Sequence, residues 1–505
     1  MRLVMVQKIL GLLLMVFSLT MIPPMVVSIW TSDHTLMPFI YGFLITFGIG
    51  AGIWFPVRNS KALLRVRDGF LIVVLFWTVL GMCGGTPFMF AEDPHMHFTD
   101  AVFESISGMT TTGATVLTHI EKTKEHSGLS NSILYYRQQL QWWGGMGIIV
   151  LAVAILPLLG IGGMQLYKAE TPGPMKDAKL TPRIKDTAKA LWYIYLGITF
   201  ACAFGYWTAG MTWFDAIGHS FATVANGGFS THDASMGYFN SPAIEWVSIF
   251  FMVVCGANFA LHYVAIRSGS IKVFWKDPEF KAYIFILLGV STAIAIVLIA
   301  LSDNSAHDNV IDVIRTSIFH TVSIGTTAGF ATENFAAWPL FVPVLLMCVG
   351  FIAGCSGSTA GGIKTIRALL LYKQGKREIL RVIHPNAQIP VKLGEKSVQE
   401  RVIDAVWGFF AIYVIMFVLM MLALLATKVK VVTDGAVGYV PMDLETSFSA
   451  VAACVNNVGP GLGKVAVNFA NLSPLAKWIL TFAMLLGRLE VFPLLVIITP
   501  AFWRR

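Results

Sequence analysis

Long apolar runs, separated by short mixed segments, set the rhythm of this chain. They lie near 5–30, 37–55, 69–90, 134–166, 188–210, 242–266, 279–302, 338–371, 402–427 and 473–502. Each approaches or exceeds the about 20 residues that cross a bilayer as a helix. The runs are continuous rather than alternating, which predicts helices and argues against a β-barrel. After two opening spans and a basic turn (Arg58, Lys61, Arg65, Arg67), one order of elements recurs four times. It is a span, a short half-buried helix, a Gly-rich loop and a second span.

The short helices are predicted at 98–109, 213–224, 310–324 and 443–455, and the loops at 110–115, 225–230, 326–331 and 456–461. The chain thus divides into two N-terminal helices (1–68) and four units, 69–187, 188–278, 279–400 and 401–505. The expected fold is an all-α membrane protein of ten spans, four helix–loop–helix units and two extra helices. Register supports the repeat. Nine residues before the glycines at 113, 228 and 329 stand Glu104, His219 and His320; eight before stand Ser105, Ser220 and Thr321. Asp100-Ala101 and Asp215-Ala216 also match. The fourth unit fits loosely, with Phe448-Ser449 displaced.

Composition agrees. Among 505 residues, 56% are hydrophobic and 13% charged, and mean hydropathy is +0.70, too apolar for a soluble chain of this length. The net charge of +8 raises nucleic acid as a partner, but its placement excludes it. Lys and Arg concentrate in 55–70, 168–189, 267–281 and 364–401 and at both ends. That alternation is the positive-inside pattern, and it puts these loops and both termini in the cytoplasm. Six scattered Cys form no C-x-x-C, so neither a disulfide framework nor a metal site is expected. The basic, apolar N-terminus lacks an A-x-A cleavage signal and reads as an uncleaved first span.

The loops carry the chemistry. Non-helical backbone at membrane depth must be buried in protein or line a watery cavity. Each short helix points its negative C-terminal end at the membrane middle, which favours a cation. Gly permits unusual backbone angles, and Thr and Ser add uncharged oxygens. Four such loops can form a ring of oxygens that replaces the hydration shell of K⁺. Close packing of helices through small residues is the bland reading of any one Gly loop.

Seven stretches stand out: Thr110–Thr115, Gln141-Trp142-Trp143-Gly144-Gly145-Met146-Gly147, Glu170-Thr171-Pro172-Gly173-Pro174, Gly227–Asp233, Thr327–Phe330, Gly354–Gly362 and Gly487-Arg488-Leu489-Glu490. Together they resemble the Trk/Ktr potassium transporter family, in particular the membrane subunit of the bacterial Trk system. The resemblance implies four units similar to fused K⁺-channel subunits, with one filter glycine each. Carried onto this chain, K⁺ meets Thr111, Thr112 and Gly113; Asn226, Gly227 and Gly228; Thr327, Ala328 and Gly329; and Asn457, Val458 and Gly459. Gly113, where some relatives have Ser, implies K⁺ rather than Na⁺. Asn226 and the Asn456-Asn457 pair depart from the pattern, and their amides are candidates to alter the ring.

The run 353–362 interrupts the second span of the third unit, with Gly354, Ser356, Gly357, Ser358, Gly361 and Gly362. The resemblance makes it a flexible loop below the filter that blocks the path until moved. A packing kink is the plain alternative. Arg488 lies within an apolar run, where a charge is costly and therefore a functional candidate. The resemblance makes it a barrier in the path; a buried ion pair between helices is the other reading. Lys364, Arg367, Lys373, Lys376, Arg377 and Arg381 follow on the inner side and suit anionic lipid. The resemblance adds a cytosolic nucleotide-binding regulatory ring docked there, a homodimer, an inner-membrane location, and no organic cofactor in this chain. Two other classes stay open. Gly354-Cys355-Ser356-Gly357 has the form of an intramembrane serine hydrolase, with His262 or His320 as base. An alternating-access cation symporter built on repeats is the other.

Overall fold

The computed structural model describes residues 3–60, 66–121, 128–150, 184–301, 309–433 and 436–504. Six helices there are long and apolar enough to cross a membrane: Leu3–Thr31, Leu36–Val57, Arg67–Phe90, Ala188–Thr208, Pro278–Leu301 and Glu400–Leu425. Two further spans are bent pairs. Pro242–Gly256 and Phe259–Ser268 meet at 95°, and Pro474–Arg488 and Phe492–Ile498 at 117°. The sequence leads one to expect continuous helices at both places, and the structure corrects this. The other two predicted runs contain Asn131–Val150 and Phe341–Phe351. The first run continues beyond the described residues; the second helix stops at the 353–362 loop.

The four short helices are Phe98–Met109, Trp213–Val224, Val310–Gly325 and Leu444–Val455. At 12, 12, 16 and 12 residues they fall short of a span. Three have capping side chains that accept the orphan amides of their first turn: Thr212 from Asp215, Asn309 from Ile311 and Asp443 from Thr446. All are buried along most of their length. In the last, everything from Ser449 to Val455 is buried, so small residues (Ala450, Ala452, Ala453, Cys454) set how closely its neighbours approach.

The two N-terminal helices cross at glycines. A methyl group at Gly11 would lie 2.7 Å from Gly50 O, so their backbones touch. Their connection then clasps the first unit. Asp33 Oδ1 accepts from the Ser28 and Thr35 hydroxyls at 2.6 Å each, and Oδ2 accepts from Ser132 N at 2.9 Å. Thr35 Oγ1 also bonds Ser132 Oγ. One addition to the helical plan is an antiparallel hairpin, Lys428–Thr433 with Ala436–Pro441, in register Val429↔Val440.

The clasp is testable. Partial burial pushes the Asp33 carboxyl up, but hydrogen bonds from Ser28, Thr35 and Ser132 outweigh it and hold the pKa down to about 2. A carboxyl held below its unfolded value of 3.8 stabilises the fold above that pH and loses the effect as pH falls toward about 2. Asp33→Asn should therefore cost about 1 kcal/mol near pH 7, discounted for solvent screening. Thermal unfolding in detergent should show the gap to wild type closing below pH 4.

Candidate functional site

Each short helix ends in the same three-residue turn. The residue two before the glycine is left-handed in all four units: Thr111 (φ 52°), Asn226 (51°), Thr327 (60°) and Asn457 (55°). Each glycine is left-handed again: Gly113 (80°), Gly228 (76°), Gly329 (77°) and Gly459 (96°). The residue between them donates its N–H to a carbonyl five residues back, at 2.8 Å every time. The pairs are Thr112 to Ser107, Gly227 to Ala222, Ala328 to Ser323 and Val458 to Ala453. The fourth unit, loose in sequence, is in full backbone register.

The turns meet in a closed cycle. A methyl group at Gly113 would lie 2.1 Å from Gly227 O, at Gly228 2.0 Å from Ala328 O, and at Gly329 2.0 Å from Val458 O. At Gly459 it would lie 2.7 Å from Thr112 O, which returns to the first turn. The four glycines also line one cavity of about 360 Å³, with Arg137, Asp233 and Glu333 on its wall. Among the described residues, the carbonyls of Thr112, Ala328 and Val458 accept no hydrogen bond from the protein, though all three residues are buried. Buried carbonyls are rarely left so.

The conserved register of side chains turns out to anchor the chain leaving each turn. Glu104 accepts from Thr115 Oγ1 and Val116 N at 3.0 Å, His219 Nε2 meets Ser230 Oγ at 2.9 Å, and His320 Nε2 meets Glu333 O at 3.4 Å. In the fourth unit Ser449, one residue earlier, bonds both N and O of Leu462. The amide of Asn226 reaches out of the ring, and that of Asn457 ties the fourth turn to the first. Asn226 Nδ2 donates to Thr359 Oγ1 at 3.1 Å, and Asn457 Nδ2 to Thr112 Oγ1 at 2.8 Å. Asn456 Oδ1 accepts from Tyr413 OH at 2.7 Å.

Two buried residues brace this ring: Arg137, which the sequence reading did not name, and Gln141, which it quoted only as part of the Gln141–Gly147 stretch. Arg137 is 1% exposed; it donates to Glu104 at 2.8 Å, to Ser230 O and Thr115 Oγ1 at 3.2 Å, and lies over the Phe229 ring. Gln141 donates to Gly227 O at 2.5 Å and accepts from Phe229 N at 3.1 Å. A charged residue in an apolar run was the available signal for Arg137. Outer ion pairs join neighbouring units, Arg315 to Glu245 at 2.7 Å and Lys477 to Asp100 at 2.6 Å.

The 353–362 loop sits against the ring. Gly361 N donates to Thr327 Oγ1 at 2.7 Å, and a methyl group at Gly361 would lie 2.3 Å from Asn456 O. Gly354 packs on Gly256 O, Gly357 (φ 72°) lies beside Asn258, and Gly362 (φ 62°) turns the chain back. Ser356 is held by its N–H and Ser358 is 1% exposed. Arg488 is not mid-helix. It ends Pro474–Arg488, where the helix dipole favours a cation, and donates to Thr359 O at 3.0 Å. Glu490 instead binds Arg367, at 2.6 Å. Three of the six basic residues that suited lipid or a docked ring are buried and committed inward. Lys364 bonds Ala360 O, Arg367 bonds Glu490, and Arg377 bonds Glu400 at 2.5 Å. Lys373, Lys376 and Arg381 remain at the surface. The Glu170–Pro174 motif lies outside the described residues.

This is the arrangement of a membrane cation transport protein, and comparison agrees. The chain matches the TrkH cation transport protein family over residues 35–505 and belongs to that family. It is 53% identical to the Trk system potassium uptake protein TrkH of Vibrio parahaemolyticus over 499 residues, covering 98% of each chain. It is 52% identical to the protein of that name from Escherichia coli K12, covering 99% of each. The crystal structure of the potassium transporter TrkH from Vibrio parahaemolyticus superposes with a TM-score of 0.89 at 50% identity, covering 100% of both chains.

Gln141→Leu keeps the bulk but strands Phe229 N–H and one bond of Gly227 C=O. It should cost about 2–3 kcal/mol of stability and depress ion flux together, read by thermal unfolding and liposome uptake.

Proposed function

We infer that the chain takes up potassium through the ring of four turns, across a bacterial inner membrane with both termini in the cytoplasm. One observation carries the reading: four turns of matching backbone close a cycle around a common cavity, and three of their middle carbonyls, those of Thr112, Ala328 and Val458, accept no hydrogen bond among the described residues. Such oxygens replace water around a dehydrated K⁺. In this reading Thr111–Gly113, Asn226–Gly228, Thr327–Gly329 and Asn457–Gly459 contact the ion. The short-helix C-termini add negative potential. The domain division is two helices (1–68) and units 69–187, 188–278, 279–400 and 401–505.

The 353–362 loop and Arg488 act as the gate. The loop leans on the second, third and fourth turns, and a guanidinium below the ring opposes a passing cation. The relatives are named as parts of a Trk system, which supports further components; in this reading they are a nucleotide-binding regulatory ring docked around Lys373, Lys376 and Arg381 of a homodimer. Passive uptake suffices energetically. The membrane potential supplies ~2.3 kcal/mol per charge per 100 mV, roughly fiftyfold accumulation.

The hydrolase reading loses its base. His320 engages Thr316 O and Glu333 O with its two ring nitrogens, and His262 Nε2 bonds Val254 O. The symporter reading has no comparable support, since the turns form one cycle rather than two facing halves.

Flux of K⁺ and Na⁺ into liposomes tests the filter. In Gly113→Ser the new Cβ would have to displace Gly227 O from 2.1 Å. The K⁺ over Na⁺ ratio should fall roughly tenfold, a loss of about 1.4 kcal/mol. An unchanged ratio would falsify the filter assignment.

A further inference from the structure

The neck of the 353–362 loop is closed by a short parallel pairing, Ile352–Ala353 with Ile363–Lys364. Beside that neck stands Glu279, in the first turn of Pro278–Leu301 and 1% exposed. Its Oε1 accepts from Ser356 N at 2.6 Å and from Ile366 N at 3.2 Å. Ser356 lies on the outgoing leg of the loop, and Ile366 on the helix that receives the returning leg. One carboxylate oxygen therefore ties the two legs together from outside the loop. It stands on an unbroken span of 24 residues, whereas the neighbouring second spans of the second and fourth units are bent.

The second unit supplies the rest of the seat. Where its second span breaks, Gly256 O accepts from Cys355 N at 2.8 Å, and Phe259 N donates to Gly357 O at 3.1 Å. These are ordinary amide bonds, which water replaces at small cost. The carboxylate differs. A buried anion is tolerated only while donors satisfy it, and two of the donors here belong to the loop and its return. Movement of the loop strips them from Glu279.

We propose that Glu279 is the latch of the 353–362 loop, a positioning residue that biases it toward the seat under the ring. The latch rests on reading that loop as the gate. It is not a ligand of the ion, and it acts through Ser356 and Ile366.

The test is ion flux in liposomes by the full chain alone, with K⁺ and Na⁺ measured in parallel. E279L keeps the bulk and removes the acceptor; E279Q keeps an acceptor but removes the charge. A third variant deletes residues 356–358. Flux should rise from wild type through E279Q to E279L, which should be roughly tenfold faster. The K⁺ over Na⁺ ratio should hold. A gain of flux at constant selectivity is not what general damage produces. If the deletion is faster but E279L is not, the latch falls and the gate stands. If neither is faster, both fall. Should E279L fail to fold, hydrogen exchange decides with E279Q: exchange at the Ser356 amide should quicken several-fold, and an unchanged rate overturns the latch.

Discussion

Everything at the centre of this protein depends on four glycines having no side chain. Each lets the carbonyl of the next turn lie where a Cβ would be, and the dependence runs round a cycle back to its start. Such close approach also forces left-handed backbone two residues earlier, at two Thr and two Asn. Thr is poorly suited to that conformation, at a cost of about 1–3 kcal/mol each. The cost is met by bonds that repeat unchanged: the N–H of every middle residue reaches the carbonyl five back, at 2.8 Å. In an apolar surround an unpaired amide is dearer still, so the turn is held from within by its own short helix.

Outside that cycle the units diverge, and the divergence has a direction. The first unit is braced by a buried ion pair, Arg137 with Glu104, which spans to the second through Ser230 O. The second breaks its own span, and its exposed backbone at Gly256 and Phe259 receives the loop of the third. The fourth breaks after Arg488, with Glu490 and Val491 both at positive φ. This second break brings Arg488 to Thr359 O and Glu490 to Arg367. A helix broken inside a membrane leaves amides that need partners, and here the breaks and the loop answer one another.

The sequence made the spans, short helices and glycine turns readable because each has a period or a punctuating glycine. Even the displaced Ser449 was visible; what it displaced, an anchor on the exit strand, was not. The side chains' directions were hidden. Asn226, Asn457 and Asn456 stood as candidates to alter the ring; the amides of Asn226 and Asn456 serve Thr359 and Ala452 outside it, 133 and 4 residues away, while that of Asn457 bonds Thr112 of the first turn, 345 residues away. The bend after Arg488 was marked in the sequence, by Gly487 before it and Pro493 in the first turn of the helix that follows, and was read through as one continuous span. The hairpin at 428–441 did announce itself, through Lys-Val alternation and Asp434-Gly435, and was absorbed into an all-helical expectation.

Fusion of four units in one chain explains why symmetry and asymmetry coexist. A dehydrated cation needs similar oxygens on every side, because any one ligand out of place exposes it to poorer coordination. A gate needs the reverse, since four identical loops could not all occupy one axis. Separate identical subunits would have to accept one solution for both demands. A single chain keeps its backbone fourfold for three residues per unit and lets the flanks differ. The third unit then lends a loop, the second a seat and the fourth a charge. The boundary between the two regimes falls at the Thr327 and Asn226 side chains, where the symmetric ring bonds the asymmetric loop through Gly361 and Thr359. Any displacement of the loop must break bonds to the ring itself, so in the reading proposed above conduction and closure share atoms rather than merely a passage.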